Sequence, residues 1–95
     1  MSACIVTLRV RAGAEDKLVE VFAATFRPAI SRQPGFESVS LLRPPPGEPW
    51  LLDIRFADET TRLAWVATPL HQEVWPQIES LCDEADPTVY EVQGI

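Results

Sequence analysis

The amino-acid sequence predicts an α+β domain whose segments follow the order strand, helix, strand, strand, helix, strand. Apolar residues recur at every second position in segments 4–11 and 50–56, a period that is typical of strands. They recur at every third or fourth position in segments 14–32 and 69–81, a period that is typical of amphipathic helices. The length of 95 residues fits one domain, and we expect residues 1–95 to form it.

Glycine and proline divide the first half of the chain. The strand over 4–11 ends at Gly13, and the acidic residues that follow favour a helix start because carboxylates stabilise the positive end of the helix dipole. Pro28 lies inside the helix over 14–32 and should kink or end it, since proline donates no backbone hydrogen bond. A Pro-Gly pair then separates this helix from the next strand.

Two further strands are expected to form a hairpin. Residues 36–43 and 50–56 both have strand-like composition, and the proline-rich segment 43–49 between them cannot continue a ladder of backbone hydrogen bonds. We therefore expect two antiparallel neighbours joined by a turn.

Two helices and a strand complete the predicted order. Asp58 can cap a helix over 59–67, and the Thr-Pro pair after it is a typical start for a second helix. Pro76 should bend that second helix. The polar segment 83–87 should close it, and residues 88–94 should form the last strand.

The simplest packing of this order is an antiparallel four-stranded sheet with both helices on one face, the ferredoxin-like arrangement. The other face of the sheet carries Leu, Val and Ile side chains from several strands. Exposing a large apolar face costs about 25 cal/mol per Å². We therefore expect two copies of the chain to pack sheet against sheet as a homodimer.

The composition argues against several classes of function. The net charge of −6 and the scattered basic residues oppose binding to nucleic acid or to an anionic membrane. The N-terminal residues have no basic region and no long apolar stretch, so we expect no signal peptide, no membrane span and a cytoplasmic location. Cys4 and Cys82 are too few for a disulfide scaffold and should be free thiols that lack an activating environment. The sequence shows no His/Cys cluster for a metal, no glycine-rich phosphate loop and no nucleophile-elbow serine.

His71 is the first candidate for catalysis. It is the one histidine of the chain, and its reference pKa near neutrality suits a base or a proton shuttle. Trp75 follows it by one helical turn, and Trp65 lies on the preceding helix. With Phe22 and Phe26 from the first helix, these indoles can wall a flat apolar pocket between helices and sheet. The alternative is that His71 lies at a helix rim and that the aromatic residues only fill the core.

Two polar candidates lie on the strands. Arg55 alternates with Asp53 on the polar side of the third strand, where the two can orient a substrate, bridge a dimer or form a solvated ion pair. Tyr90 on the last strand can donate a hydrogen bond to a substrate oxygen or pack in an interface.

Several of these motifs together resemble the antibiotic biosynthesis monooxygenase family, a branch of the dimeric α/β-barrel proteins. They are the Arg-Ala-Gly at the end of the first strand, the Pro-Gly-Phe after the first helix, the Leu-Asp-Ile-Arg-Phe of the third strand, the Asp-Glu-Thr after it, and Trp65-x-x-Thr68-Pro69-x-His71. Each motif is weak alone, but together they span nearly the whole chain. The resemblance implies the fold rather than one particular reaction.

The family includes enzymes that oxidise aromatic polyketide-like or quinone-type substrates with dioxygen, some without metal or flavin, and it also includes haem-degrading oxygenases. The haem-degrading branch uses an Asn on the first strand, a Trp on the second helix and a His further along. Those positions fall at Val6, Trp65 and Trp75 here, and His71 lies one helical turn too early. The resemblance therefore disfavours haem breakdown.

Two hypotheses follow. The first is a cofactor-independent monooxygenase that combines dioxygen with a small aromatic, quinol or polyketide-like substrate. In that hypothesis the catalytic residues are His71 and Trp65, and the substrate-binding residues are Trp75, Phe22, Phe26, Arg55 and Tyr90. The second hypothesis is a dimer of the same fold that binds a small molecule without oxidising it, or acts as an isomerase or cyclase.

Overall fold

The computed structural model describes all residues from 1 to 95. The sheet is antiparallel, with four strands in the order β2-β3-β1-β4, and the predicted α+β, ferredoxin-like fold is confirmed. The elements in chain order are β1 (Ser2–Val10), α1 (Glu15–Val21), a π-helical turn (Phe22–Phe26), α2 (Arg27–Ile30), β2 (Phe36–Leu42), β3 (Trp50–Phe56), α3 (Glu59–Val66), α4 (Pro69–Glu79) and β4 (Cys82–Glu91).

The helices cover one face of the sheet, and the core lies between them. In β3, buried positions alternate with partly exposed ones, as the period of two predicts. Val6 and Leu8 of β1 pair with Leu52 and Trp50 of β3 and are buried on the same face. The most completely buried side chains of the core are Leu8, Leu18, Phe26, Ile30, Leu52, Phe56 and Ile78.

The first helical segment is interrupted ahead of its proline. Residues Phe22–Phe26 form a π turn that ends with the backbone N–H of Arg27 donating to the carbonyl of Phe22. Pro28 follows at once, and since its nitrogen carries no proton, the carbonyl of Ala24 lacks its usual helical partner. The irregularity predicted from Pro28 is therefore present, and it has the form of a π turn just before the proline.

Gly35 connects the first helical segment to β2 at a point of close approach. Its φ is +79°, in the left-handed region, and a Cβ at this position would lie 2.5 Å from Oγ1 of Thr61 in α3. The carbonyl of Gly35 accepts a hydrogen bond of 2.7 Å from the backbone N–H of Ala57. A residue without a side chain thus allows the start of β2 to lie directly against the start of α3.

The caps predicted for α3 and α4 are both present. The carboxylate of Asp58 accepts a hydrogen bond of 2.8 Å from the backbone N–H of Thr61. The hydroxyl of Thr68 accepts one of 3.1 Å from the backbone N–H of His71. These bonds satisfy amide groups that have no partner inside a helix. α4 continues through Pro76 to Glu79.

The prediction for the start of the last strand is wrong. Residues 83–87 were expected to close the second helix, but they belong to β4, which pairs with β1 along almost its whole length. β4 is an edge strand with mostly exposed side chains, so it lacks the apolar alternation that marks a central strand. Glu84 lies opposite Arg9, at 3.7 Å between charged groups, and Pro87 is tolerated because an edge strand has one unpaired side.

The outer face of the sheet, away from the helices, mixes apolar and charged side chains. Ile5 and Leu51 are partly exposed there, and Leu42 is 46% exposed. Beside Ile5 and Leu51, the carboxylate of Asp53 forms an ion pair of 3.2 Å with Arg55. The outer face is therefore less apolar than the sequence predicted. None of the helices has the length and apolar character that a membrane crossing requires.

Candidate functional site

A cavity of about 250 Å³ lies between α3, α4 and the helix-facing side of the sheet. β1 contributes Cys4 and Val6 to its floor, and β4 contributes Ala85 and Pro87 to one side. Most of the lining is apolar, which is typical of sites that bind small organic molecules.

Three aromatic side chains form the apolar wall of the cavity. Phe26 meets the indoles of Trp65 and Trp75 edge-on, with ring centroids 6.2 and 6.3 Å apart. Phe26 and Trp65 are almost completely buried. Edge-to-face contacts of this kind fix the orientation of aromatic rings. Phe26 ends the π turn, so the irregular segment of the first helix supplies the ring that holds both indoles.

The imidazole of His71 lies between the two indoles. Its ring centroid is 5.1 Å from that of Trp65, with the planes at 80°, and 6.5 Å from that of Trp75, with the planes at 23°. The Thr68 cap fixes the backbone of this first turn of α4. The predicted grouping of His71 with Trp65 and Trp75 is therefore present in the fold.

A contact with the side chain of Gln72 favours one tautomer of His71. The side-chain nitrogen of Gln72 donates to the carbonyl of Val66 at 3.1 Å and lies 3.3 Å from Nδ1 of His71. A carbonyl only accepts, so the atom that faces it is the amide nitrogen, and its other proton can be donated to Nδ1. Nδ1 then carries no proton, and Nε2 of the neutral ring does.

Burial keeps the His71 ring neutral. Removal from water lowers the pKa of His71 below its ordinary value, and the positive charge of Arg62 lowers it further. Neutral imidazole with its proton on Nε2 is therefore the main form at pH 7, and it offers a hydrogen-bond donor at that nitrogen.

Arg62 is the one cation that lines the cavity. Its Nε and Nη2 donate to the two carboxylate oxygens of Glu59 at 2.6 and 2.8 Å. The hydroxyl of Ser2 also donates to Glu59, at 2.8 Å. The hydrogen bond from Arg62, helped by that from Ser2, lowers the pKa of Glu59 to about 2 even though desolvation opposes it. The pair is fully ionised at neutral pH and links α3 to the start of β1.

Cys4 is a buried free thiol at the floor of the cavity. Burial raises its pKa, and the charge of Arg62 only partly offsets this. The thiol is therefore protonated at neutral pH and adds a small, weakly polar surface. Cys82 is also free and buried, and burial raises its pKa in the same way.

Three of the predicted substrate-binding residues lie outside the cavity. Phe22 stacks behind Phe26 at 6.4 Å between ring centroids and does not reach the lining. Arg55 and Tyr90 both pair with Ala3 in the sheet register, so the alternation of strands places them on the outer face. The prediction that Arg55 and Tyr90 lie at the pocket is therefore wrong. The sequence pattern did not establish which face of the sheet carries the site.

The prediction missed the polar part of the cavity. Glu59, Arg62 and Trp65 recur at intervals of three residues, which places them on one side of α3. That spacing was available in the sequence and would have grouped Arg62 with the predicted tryptophan.

Comparisons with known proteins place this geometry among similar structures. The model of the antibiotic biosynthesis monooxygenase family matches residues 1–76. SnoaB, a cofactor-independent oxygenase from Streptomyces nogalater, superposes with a TM-score of 0.87 at 20% identity, over 99% of this chain and 94% of that one. The haem-degrading protein MhuD from Mycobacterium tuberculosis superposes with a TM-score of 0.83 at 25% identity, over 100% of this chain and 98% of that one. No curated protein matches significantly in sequence.

Proposed function

The chain belongs to the antibiotic biosynthesis monooxygenase family, and from that premise we propose that it is a cofactor-independent monooxygenase acting on a small aromatic substrate. The observation that carries the proposal is an aromatic-walled cavity in which the imidazole of His71 lies between Trp65 and Trp75. The structural likeness to SnoaB, a cofactor-independent oxygenase, supports it.

The substrate class follows from electron balance. Without a reducing cofactor, the aromatic substrate itself has to supply all four electrons that dioxygen accepts. A phenol with a free para carbon meets this requirement, because a C–H bond at that carbon is replaced by C=O and the hydroxyl loses its proton. One oxygen atom enters the quinone, and the other leaves as water with those two hydrogens. Polyketide-like phenols with such a carbon share this chemistry. A quinol, whose para carbon already carries oxygen, would instead gain a hydroxyl at a ring C–H while both of its own hydroxyls lose their protons, again giving a quinone and one water.

His71 is proposed to act as a hydrogen-bond donor to the substrate oxygen. Its Nε2–H can stabilise the phenolate, which is the form that gives electrons to dioxygen, while the phenol proton leaves to solvent through the open side of the cavity. This differs from the base predicted from the sequence, since Nε2 already holds a proton and Nδ1 faces the amide of Gln72. The ring would act through preorganised electrostatics rather than by accepting the proton.

The aromatic residues are proposed to bind and orient the ring. Trp65 and Trp75 offer flat surfaces, and Phe26 fixes their angle. An apolar enclosure also suits dioxygen, which is itself apolar, and it limits the water that would quench a reactive intermediate.

A haem does not fit these residues. In histidine ligands the nitrogen opposite the metal normally donates its proton to an acceptor, whereas Nδ1 of His71 accepts from Gln72. The volume of about 250 Å³ lies below that of pockets for drug-sized molecules, which are smaller than a porphyrin. Val6 on the floor offers no polar group to a bound dioxygen. We therefore assign no step to haem.

A homodimer and a cytoplasmic location complete the proposal. Tyr90 and Leu42 are each about half exposed on the outer face, and Ile5 and Leu51 lie between them. A second sheet packed on this face would remove those side chains from water.

Oxygen consumption tests the proposed activity. We expect uptake of dioxygen with 1-naphthol or a hydroxyanthrone, matched by formation of the quinone, in the absence of added metal, flavin or nicotinamide. His71→Ala should slow it by a factor on the order of 100, the size typical of a lost oxyanion donor. Glu73→Ala, on the exposed side of the same helix, is the matched control and should leave the rate unchanged.

Two outcomes would count against the proposal. If the aromatic compounds bind but no dioxygen is consumed, the protein is a binding protein, isomerase or cyclase of the same fold. If His71→Ala retains the full rate, His71 has no part in the reaction.

A further inference from the structure

Arg62 has donors that the protein does not use. Its ion pair with Glu59 occupies Nε and one proton of Nη2. A guanidinium holds five protons in a rigid plane, so the edge formed by Nη1 and the second proton of Nη2 points away from Glu59. Nη1 makes no hydrogen bond in the protein. Since every fully buried side-chain nitrogen and oxygen has a partner, the unpaired Nη1 is not fully buried.

The surroundings hold this edge in place. The side chain of Arg62 is 13% exposed, and Glu59 is itself anchored by the hydroxyl of Ser2 in β1. A two-point ion pair of this kind fixes the plane of the guanidinium and leaves little rotational freedom to lose on binding a ligand. The accessible edge is thus a preorganised pair of donors in a wall that is otherwise mostly apolar.

The charge of Arg62 acts across the cavity. Burial raises the pKa of Cys4 on the floor and lowers that of His71 on α4; the charge of Arg62 opposes the first shift and adds to the second, so its field reaches two other walls. Glu79 also lines the cavity, but it is exposed at the end of α4 and is not paired with Arg62. The inner part of the cavity therefore presents the unused donors of a paired guanidinium and a neutral imidazole, a combination of donors that favours a negatively charged oxygen.

We propose that Arg62 is the specificity-determining residue of the cavity and selects flat aromatic molecules that carry an oxyanion, either a carboxylate or an ionised hydroxyl. Nη1 and Nη2 donate to the oxyanion while the ring lies against the indoles of Trp65 and Trp75. Glu59 is a positioning residue that holds the guanidinium. This inference rests on the cavity of the proposed function but concerns binding, so the two can fail separately.

Calorimetry with a matched pair of ligands tests this inference. Naphthalene-2-carboxylate and naphthalene-2-carboxamide have the same shape and differ in charge, and titration under nitrogen excludes turnover. The wild-type protein should bind the carboxylate at least about tenfold more tightly, as expected for a charge-assisted hydrogen bond. Arg62→Gln combined with Glu59→Gln, which removes both charges together, should bind the two ligands equally.

The control variant is the other helical pair with the same spacing. Lys17 and Glu20 form an exposed ion pair on α1, with 3.5 Å between Nζ and the carboxylate. Lys17→Gln combined with Glu20→Gln should keep the preference for the carboxylate. If the Arg62 double variant unfolds, Arg62→Lys keeps the charge and loses the planar fork, and we expect the preference to fall below that of the wild type but not to vanish.

The inference is overturned if the wild type binds both naphthalenes equally or binds neither below millimolar concentration, or if the Arg62 double variant keeps the preference. A preference for the carboxylate without oxygen uptake would leave the inference standing and remove the monooxygenase proposal. Oxygen uptake with no preference for the carboxylate would overturn the inference about Arg62 and leave the monooxygenase proposal standing.

Discussion

The imidazole of His71 meets the indole of Trp65 edge-on, at 5.1 Å between ring centroids and with the two planes at 80°. This contact partly shields the only histidine of the chain from water and places it beside a ring that offers no hydrogen-bond acceptor to a protonated imidazole. Together with the charge of Arg62, it explains why the imidazole stays neutral in the folded protein.

The titration of His71 is the first prediction. Proton NMR of the single imidazole should give a midpoint below 6.5, because burial first and Arg62 second disfavour the protonated ring. A midpoint at or above 6.5 would show that the ring is solvated or paired with an anion.

The same shift makes stability depend on pH. Well above 6.5 the ring is neutral in both states and contributes no pH dependence. As the pH falls below 6.5 the unfolded chain binds a proton before the folded one does, so stability should be lost progressively until the pH passes the lower folded pKa. Urea unfolding across this range should show the loss in the wild type but not in His71→Gln.

Glu59 should give a second, more acidic transition. Its folded pKa of about 2 is below the ordinary 4.5, so its ion pair stabilises the protein above pH 4.5 and loses that effect as the pH falls towards 2. Since Glu59 is 45% exposed, solvent screening limits the effect to about 1 kcal/mol. Glu59→Gln should unfold more easily than the wild type at pH 7, and the difference should shrink towards pH 2. If the difference in the free energy of unfolding stays the same from pH 7 to pH 2, the charge of Glu59 does not contribute to stability.

Phe26 should be a stability determinant as well as a wall of the cavity. It is 1% exposed and contacts both Trp65 and Trp75. Phe26→Ala should lower the free energy of unfolding by about 3–5 kcal/mol. Val19→Ala, at a 43% exposed position on α1, should change it by less than about 1 kcal/mol. Equal effects in chemical unfolding would show that the aromatic wall is not packed as described.

Gly35 allows backbone strain to be separated from steric overlap. Gly13 and Gly35 both have positive φ, but only at Gly35 would a Cβ meet a neighbour, Thr61. Gly13→Ala should cost about 1–2 kcal/mol from the backbone alone, and Gly35→Ala clearly more. Gly94→Ala, in open space without positive φ, should be nearly neutral. Thermal unfolding of the three variants provides the ranking, and a Gly35 variant as stable as the Gly13 variant would contradict it.

The outer face of the sheet leads to a prediction about assembly. Sedimentation at micromolar concentration should give twice the chain mass of 10.6 kDa. Leu51→Lys replaces an apolar side chain on the outer face of the interior strand β3 with a charge that a second sheet would bury, and it should produce monomers. Leu63→Lys, at a 52% exposed position on α3, should leave the dimer intact. A folded wild-type monomer at this concentration would exclude the proposed sheet-to-sheet packing.

The elements that the sequence predicted well are those in which one face is buried. β3 alternates strictly between buried and partly exposed positions, and its boundaries agree with the prediction. β4 was placed too late because an edge strand buries little, so its polar start gives no apolar pattern even though it pairs fully with β1.

The candidate site was only partly predictable for a related reason. His71 and Trp75 are one turn apart on α4, and Trp65 lies at the end of α3 just before it, so closeness in the sequence groups the three. Arg55 and Tyr90 were assigned to the same site, but strand alternation alone does not say which face meets the helices, and both lie on the other one. The spacing of three residues indicates the pairing of Arg62 with Glu59, whereas the hydrogen bond from Ser2 to Glu59 depends on the tertiary fold.

The two sides of the cavity differ in how freely they can change. The aromatic rings belong to the helices and the packed core, whereas Ala85 and Pro87 belong to an edge strand, where Ala85 is only partly buried against the core and Pro87 is exposed. A larger residue at the exposed position 87 would narrow this side of the cavity, while the indoles and the imidazole belong to other elements. Homologues that differ there are thus expected to accept substrates of different width with the same chemistry. Substitutions in one strand can then change the substrate range without changing the reacting groups.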